Sequence, residues 1–194
     1  YGQPGNFLPG ATCLGDILKE QGYEQSVMFG ADAAFGGLDF FFQSHGDFNI
    51  LDHKGVIEKG WLPEYYDVWW GYEDDKLYEF AKRELTRLGD TGKPFHFVME
   101  TADTHAPEGY LSEKAEKKYD SQYANCIYYS QSEAVKFVRW IQEQEFYEMA
   151  SGRCGQGFCT RSMTEIEKVV AMIDRNVNSK ILFTDLVNRM FLSI

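Results

Sequence analysis

A layered α/β fold, with a mainly parallel sheet and helices on both faces, is the architecture this sequence predicts, and three observations carry it. Two short apolar runs, residues 26–29 and 95–99, each end in a polar or glycine-bearing loop, as buried parallel strands do. Amphipathic helical patterns alternate with those runs. The helical pattern over 75–88 leads almost directly into the second run, which is the αβ half of a βαβ unit.

In chain order, residues 1–10 are rich in Gly and Pro and predict a surface loop. Thr12 suits an N-cap, Leu14, Ile17 and Leu18 form an apolar stripe, and Gly22 suits a stop, so a helix is expected over 14–21. The strand at 26–29 then opens into the loop GADAAFGG at 30–37. If the two strands are parallel neighbours, Asp32 in this loop shares one crevice with the loop after the second strand, because ligands of open α/β sheets bind outside the carboxyl ends of the strands. A short helix over 38–46 would half bury Phe40, Phe41 and Phe42. Residues 47–70 are irregular and aromatic, with Trp61, Tyr65, Tyr66, Trp69 and Trp70. Such a run suits stacking on a sugar or glycerol ring face, and equally a satellite core beneath a long loop. His45 and His53 read as structural or surface histidines, since no second metal-type residue lies at a helical or hairpin spacing from either.

Asp74 or Asp75 is expected to cap the next helix; Leu77, Phe80, Ala81, Leu85 and Leu88 line one face, and Gly89 ends it. The stretch KPFHFVMETADTHAPEGY at 93–110 follows as a buried strand delivering a loop with Thr101, Asp103, Thr104 and His105. Pro107 biases Ala106 towards extended backbone and so holds His105 towards the crevice. The competing role for His105 is structural, bonded to a neighbouring backbone carbonyl. Residues 112–123 are charged and read as exposed, Ser130 with Glu133 fits a capping box, and Ala134, Phe137, Val138 and Ile141 line a helix reaching about 146. At 149 the character changes. A Gly-rich stretch holds Cys154 and Cys159 as CGQGFC, followed by helical patterns at 163–175 and 179–193. One C-x4-C pair without a second pair or histidines downstream is a poor zinc signature. The chain thus divides into a domain at 1–148 and a helical segment at 149–194.

The 194 residues, 44% hydrophobic and 16% aromatic, suffice for one sizeable core. Formal net charge is -11 and unevenly placed, with 13 Lys+Arg against 26 Asp+Glu before residue 150 and 6 against 4 after it. That balance argues against a nucleic-acid partner, which needs a basic surface. It is compatible with a divalent metal, although most of these charges belong to solvated faces. Four scattered cysteines do not make a disulfide scaffold. No apolar run approaches the ~20 residues that span a bilayer, and a start without Met suggests a piece of something longer.

Five ordered segments carry a family resemblance: FLPGATCLGDILKEQGY, FGADAAFGGLDFFFQSHG, WWGYEDDKLYEFAKREL, KPFHFVMETADTHAPEGY and the tail of SQSEAVKFVRWIQEQEFY. Over residues 7 to about 148 the chain resembles the extracytoplasmic domain of the phosphoglycerol transferases and lipoteichoic acid synthases, of the alkaline phosphatase and sulfatase superfamily, and most of all the branch acting on periplasmic glucans. The resemblance implies a membrane-anchored, extracytoplasmic enzyme that moves phosphoglycerol from a phosphatidylglycerol-type lipid to a glycan or polymer acceptor through a phosphothreonine. It also implies a divalent metal, Mn²⁺ or Mg²⁺, that polarises the phosphoryl oxygens. His105 matches the family's substrate histidine, and Asp103 and Asp32 are the other residues assigned to the substrate crevice. The nucleophilic threonine and one acidic ligand are expected upstream of residue 1, and the usual Asp-His metal pair is replaced by MASGRCGQGF at 149–158. The chain alone is therefore expected to hold neither metal nor nucleophile and to be inactive. Gly36 and Leu38 stand where the lipoteichoic acid branch has a Trp and an Arg. Two alternatives stay open: a sulfate- or phosphate-ester hydrolase of the same superfamily, and a non-catalytic substrate-binding remnant.

Overall fold

The computed structural model describes residues 7–145, 147, 148 and 164. The CGQGFC pair and the helical patterns at 163–175 and 179–193 lie outside the described residues, Thr164 excepted. The chain forms two compact units, Tyr1–Arg139 and Trp140–Ile194. Described residues of the second are the end of a helix, the turn after it and Thr164.

Three strands make the sheet of the first unit: β1 (Glu24–Phe29), β2 (Asn49–Leu51) and β3 (Phe95–Glu100), in the order β2-β1-β3. Both pairings are parallel; β1 aligns with β3 from Glu24↔Phe95 to Phe29↔Glu100 and with β2 from Ser26↔Asn49 to Met28↔Leu51. Side chains of a strand alternate between faces, yet Gln25, Ser26, Val27, Met28 and Phe29 are all buried, so both faces of the central strand are covered. A core cluster gathers Val27, Phe29, Ala33 and Phe48, with Leu38, Phe42, Ile50 and Val98 packed against it. The expected strands and their parallel pairing are thus present. At three residues, β2 is too short to stand out in the aromatic stretch 47–70.

Among the described residues five α-helices accompany these strands: α1 (Leu14–Glu20) before β1, α2 (Leu38–Ser44), α3 (His53–Glu58) and α4 (Asp74–Asp90) between strands, and α5 (Gln122–Gln142) after β3. In α4 the stripe Leu77, Phe80, Ala81, Leu85 and Leu88 is buried as its periodicity predicts, and the helix packs on β1 and β3. Buried Glu84 interrupts the pattern. It is held by Arg87 at 2.8 Å and Asn49 Nδ2 at 3.1 Å, and these partners keep its carboxyl below the usual range against the opposing effect of burial. No helix of the described residues is long and apolar enough to cross a membrane.

The expected helix ends need correction. Cys13, not Thr12, is the N-cap of α1, because Asp16 reaches back three residues to accept from Cys13 N–H at 2.8 Å. Glu73, not Asp74 or Asp75, is the N-cap of α4, and Gly89 lies inside a helix that runs to Asp90. The two aspartates are drawn into tertiary bonds instead: Asp74 accepts from Ala102 N–H and Asp103 N–H at 2.8 and 3.1 Å, and Asp75 accepts from Ser112 Oγ and Tyr129 OH at 2.6 and 2.8 Å. Ser130 makes no capping box, since α5 begins eight residues earlier, at Gln122, and ends at Gln142. The cap is Ser121, whose Oγ accepts from Ala124 N–H at 3.3 Å. Buried Asn125 fixes the approach to α5 by bonding Lys118 N–H, Tyr119 N–H and Tyr119 C=O.

Candidate functional site

Because β1 and β3 are adjacent, parallel and in register at their last residues, the loops that leave them emerge side by side. Between them lies a cleft of about 770 Å³. Phe29, Phe35, Leu38 and Trp70 give it apolar walls, and Asp32, Glu100, Thr101, Thr104 and His105 its polar groups. Asp32 and His105 therefore share one crevice. Asp103 does not line it: the residue is 3% exposed and its side chain lies beneath the loop.

Both loops are pinned. In the first, Asp52 accepts from Ala33 N–H at 3.1 Å through one oxygen and caps α3 at Gly55 N–H, 2.8 Å, through the other. Tyr72 N–H donates to Gly30 C=O at 2.8 Å, an approach so close that a Cβ on Gly30 would stand 2.5 Å from Tyr72 O. Asp32 Oδ1 accepts from Ala34 N–H at 3.0 Å while Oδ2 meets Lys54 Nζ at 2.6 Å. The Lys54 ammonium, helped by Ala34 N–H, holds the Asp32 carboxyl below its usual range. Asp32 is thus a paired carboxylate that brings a cation to the rim.

In the second loop, Asp74 grips the backbone of Ala102 and Asp103, and Tyr123 OH donates to Thr104 C=O at 3.0 Å. Asp103 C=O accepts from Tyr110 N–H and from Cys126 Sγ. The Asp103 carboxyl has an oxygen, Oδ1, with no partner among the described residues. Burial first, and the neighbouring Asp74 second, push its pKa up to about 8. It is a buried acid that keeps its proton at neutral pH, in a loop held through the backbone of the same residue.

His105 is exposed. Its Nδ1 lies 2.8 Å from Ala106 C=O, so Nδ1 carries the hydrogen, and its ring meets Trp70 edge to face with centroids 4.4 Å apart. Among the described residues Nε2 has no partner. The carbonyl bond expected of a structural histidine is therefore present, and it leaves the other nitrogen available on a residue that lines the cleft. Trp70 comes from the aromatic run suited to stacking on a ring face, and Leu38 stands where the lipoteichoic acid branch has an Arg; Phe35, 82% exposed, Glu100 and Lys54 carry no signal in the sequence that marks them for the cleft.

A resident divalent metal, which the resemblance implies, finds no fitting ligand set among the described residues. The one cluster of metal-type atoms there is Cys13, Asp16 and His45. His45 Nδ1 lies 2.9 Å from Asp16 Oδ2 and Nε2 lies 2.6 Å from Phe7 C=O, so two acceptors face the ring and both nitrogens carry protons. The Asp16 bond raises the His45 pKa accordingly. An imidazolium cannot ligate. His53, also bonded through Nε2 to Tyr66 C=O at 2.6 Å, sits apart from any such cluster.

Comparison with known proteins adds three findings. A profile of the family described as Sulfatase matches residues 4–150. Phosphoglycerol transferase I of Xanthomonas campestris pv. campestris (strain B100) is 42% identical over 110 residues, which is 57% of this chain and 16% of that protein. Phosphoglycerol transferase I of Escherichia coli O139:H28 is 32% identical over 149 residues, 74% of this chain and 19% of that protein. The chain thus spans less than a fifth of the length of these relatives. Among solved structures, an alkaline phosphatase superfamily protein from Vibrio parahaemolyticus matches with TM-score 0.57 and 28% identity over 69% of this chain and 32% of its own. The lipoteichoic acid synthase LtaP from Listeria monocytogenes shares the fold, with TM-score 0.59 and 17% identity over 70% of this chain and 34% of its own.

Proposed function

This chain belongs to the sulfatase family, and from that premise we propose that it forms the donor-binding part of a phosphoglycerol transferase, which moves phosphoglycerol from a phosphatidylglycerol-type lipid to a glycan or polymer acceptor outside the cytoplasmic membrane. The observation that carries the proposal is His105, its Nε2 without a partner among the described residues, lining one apolar-walled cleft with Asp32 and that residue's Lys54 partner, in a chain 42% identical over 110 residues to a phosphoglycerol transferase I.

In its imidazolium form His105 donates from Nε2 to a phosphoryl oxygen of the donor while Ala106 C=O fixes the ring through Nδ1–H. Trp70, edge-on to the imidazole, limits its rotation. Lys54 offsets the charge of Asp32 at the rim, so that an anionic head group meets less repulsion there. Phe35, Leu38 and Trp70 receive the apolar part of the donor. When bound, a divalent ion would polarise the phosphoryl group; in this proposal that ion and the threonine nucleophile are held by other parts of a longer protein. A non-catalytic binding remnant is the competing reading, favoured by the absence of a fitting metal set among the described residues.

The test uses His105→Ala in the intact protein. Phosphoglycerol transfer from phosphatidylglycerol should fall about 10²-fold, in the range of losing one oxyanion-type donor, with the melting temperature unchanged. A large loss of melting temperature with turnover per folded molecule preserved would assign His105 to structure. Absence of any transfer by the wild-type protein would leave the remnant reading standing.

A further inference from the structure

Trp69 and Trp70 are neighbours in sequence, stacked at 5.4 Å with their planes 6° apart, yet they serve different concavities. Trp70 lines the donor cleft; Trp69 lines a second groove of about 640 Å³, together with Tyr110, Glu108, Glu113, Lys117 and Gln122. The ring pair is a partition between the two.

Trp69 is tied to the loop that follows β3. Its backbone lies in the left-handed region at φ 62, which bulky residues avoid, and its Nε1–H donates to Ala102 C=O at 3.3 Å. Trp70 stacks on the indole, the Tyr110 ring stands at 6.1 Å, tilted by 40°, and Trp69 stays 36% exposed where it lines the groove. An indole in a groove that also holds carboxylates, an amide and an ammonium matches a hexose ring. The C–H face of such a sugar would stack on indole while hydroxyls would donate to Glu108 or Glu113 and accept from Gln122 or Lys117. The chemistry selects against other ligands. Two carboxylates in a chain of net charge -11 disfavour an anion. A quaternary ammonium is better served by a cage of several rings than by a single open face.

We propose that Trp69 and Tyr110 form the platform of a sugar subsite that takes a neutral hexose of the acceptor, next to the donor cleft. The proposal rests on the transferase reading and gives that reading its acceptor side.

The probe is a neutral glucose pentasaccharide added to the full 194-residue chain, with binding followed by saturation-transfer NMR. Wild-type protein should bind it weakly, with saturation strongest on ring C–H protons. Trp69→Gly should lose at least about tenfold in affinity, and glycine adopts the positive φ without strain, so the fold is kept. Trp69→Phe should retain most of the binding. Glu113 lines the second groove and not the donor cleft, so Glu113→Gln should weaken the sugar and leave glycerol phosphate binding at His105 the same, which separates the two sites. No saturation transfer to the sugar, equal binding by Trp69→Gly, or displacement of the sugar by choline would each overturn the subsite. If the sugar binds as expected while the intact protein transfers no phosphoglycerol, the subsite stands and the transferase reading fails.

Discussion

Asp103→Asn replaces a buried acid by a neutral group of the same shape. The carboxyl would ionise near 3.8 in an unfolded chain and does so at about 8 in the fold, where burial and Asp74 oppose the charge. Between those values the folded protein keeps a proton that the unfolded chain has released. This contribution to stability is complete below about 3.8 and is lost as pH rises towards 8. At neutral pH the span already crossed is about three pH units, an upper limit of about 4 kcal/mol at ~1.4 kcal/mol per unit. Relaxation around the Asp74–Asp103 pair reduces the expected difference to about 2 kcal/mol, or about 4–8 °C in melting temperature for a chain this size. The amide has no charge to lose. Urea melts of both proteins from about pH 5 to about pH 9 should show wild type weakening steadily relative to Asp103→Asn, with the gap levelling above the Asp103 value. Parallel profiles, or a variant less stable than wild type near pH 9, would refute the assignment of Asp103 as a buried acid protonated at neutral pH.

Other consequences of the fold are open to the same kind of measurement. Gly15→Ala should cost about 1–3 kcal/mol in a denaturant melt, because the added Cβ would collide with His45 C=O and stand 2.7 Å from Phe48 Cε2, with no flexible group able to yield. The His45–Asp16 pair should stabilise the fold above the lowered Asp16 value, an effect lost as pH falls through it, and below the raised His45 value, an effect lost as pH rises through it. In thermal melts His45→Gln should therefore remove the alkaline limb of that profile. Manganese or zinc added at neutral pH should leave the wild-type melting temperature unchanged; a concentration-dependent rise abolished in His45→Gln would show that the trio does ligate.

The sequence by itself determined the elements whose signal is periodic or continuous. The apolar runs at β1 and β3 and the buried stripe of α4 were legible because burial on both faces demands unbroken apolar residues and burial on one helical face demands their 3.6-residue repeat. Asp32 and His105 could be brought together in advance, since parallel neighbouring strands necessarily deliver their following loops to one edge. Only the tertiary structure decided what the acids do. Nothing local marks Asp74 and Asp75 as props for the 102–112 segment instead of caps, or Ser121 instead of Ser130 as the start of α5, because partners tens of residues away outcompete the nearest backbone N–H groups. Asp103 and His105 are two residues apart in one polar loop, yet one is a buried neutral acid and the other an exposed imidazole. That division depends on the depth at which Asp74 and Cys126 hold the backbone between them, a distance in space that sequence spacing does not encode.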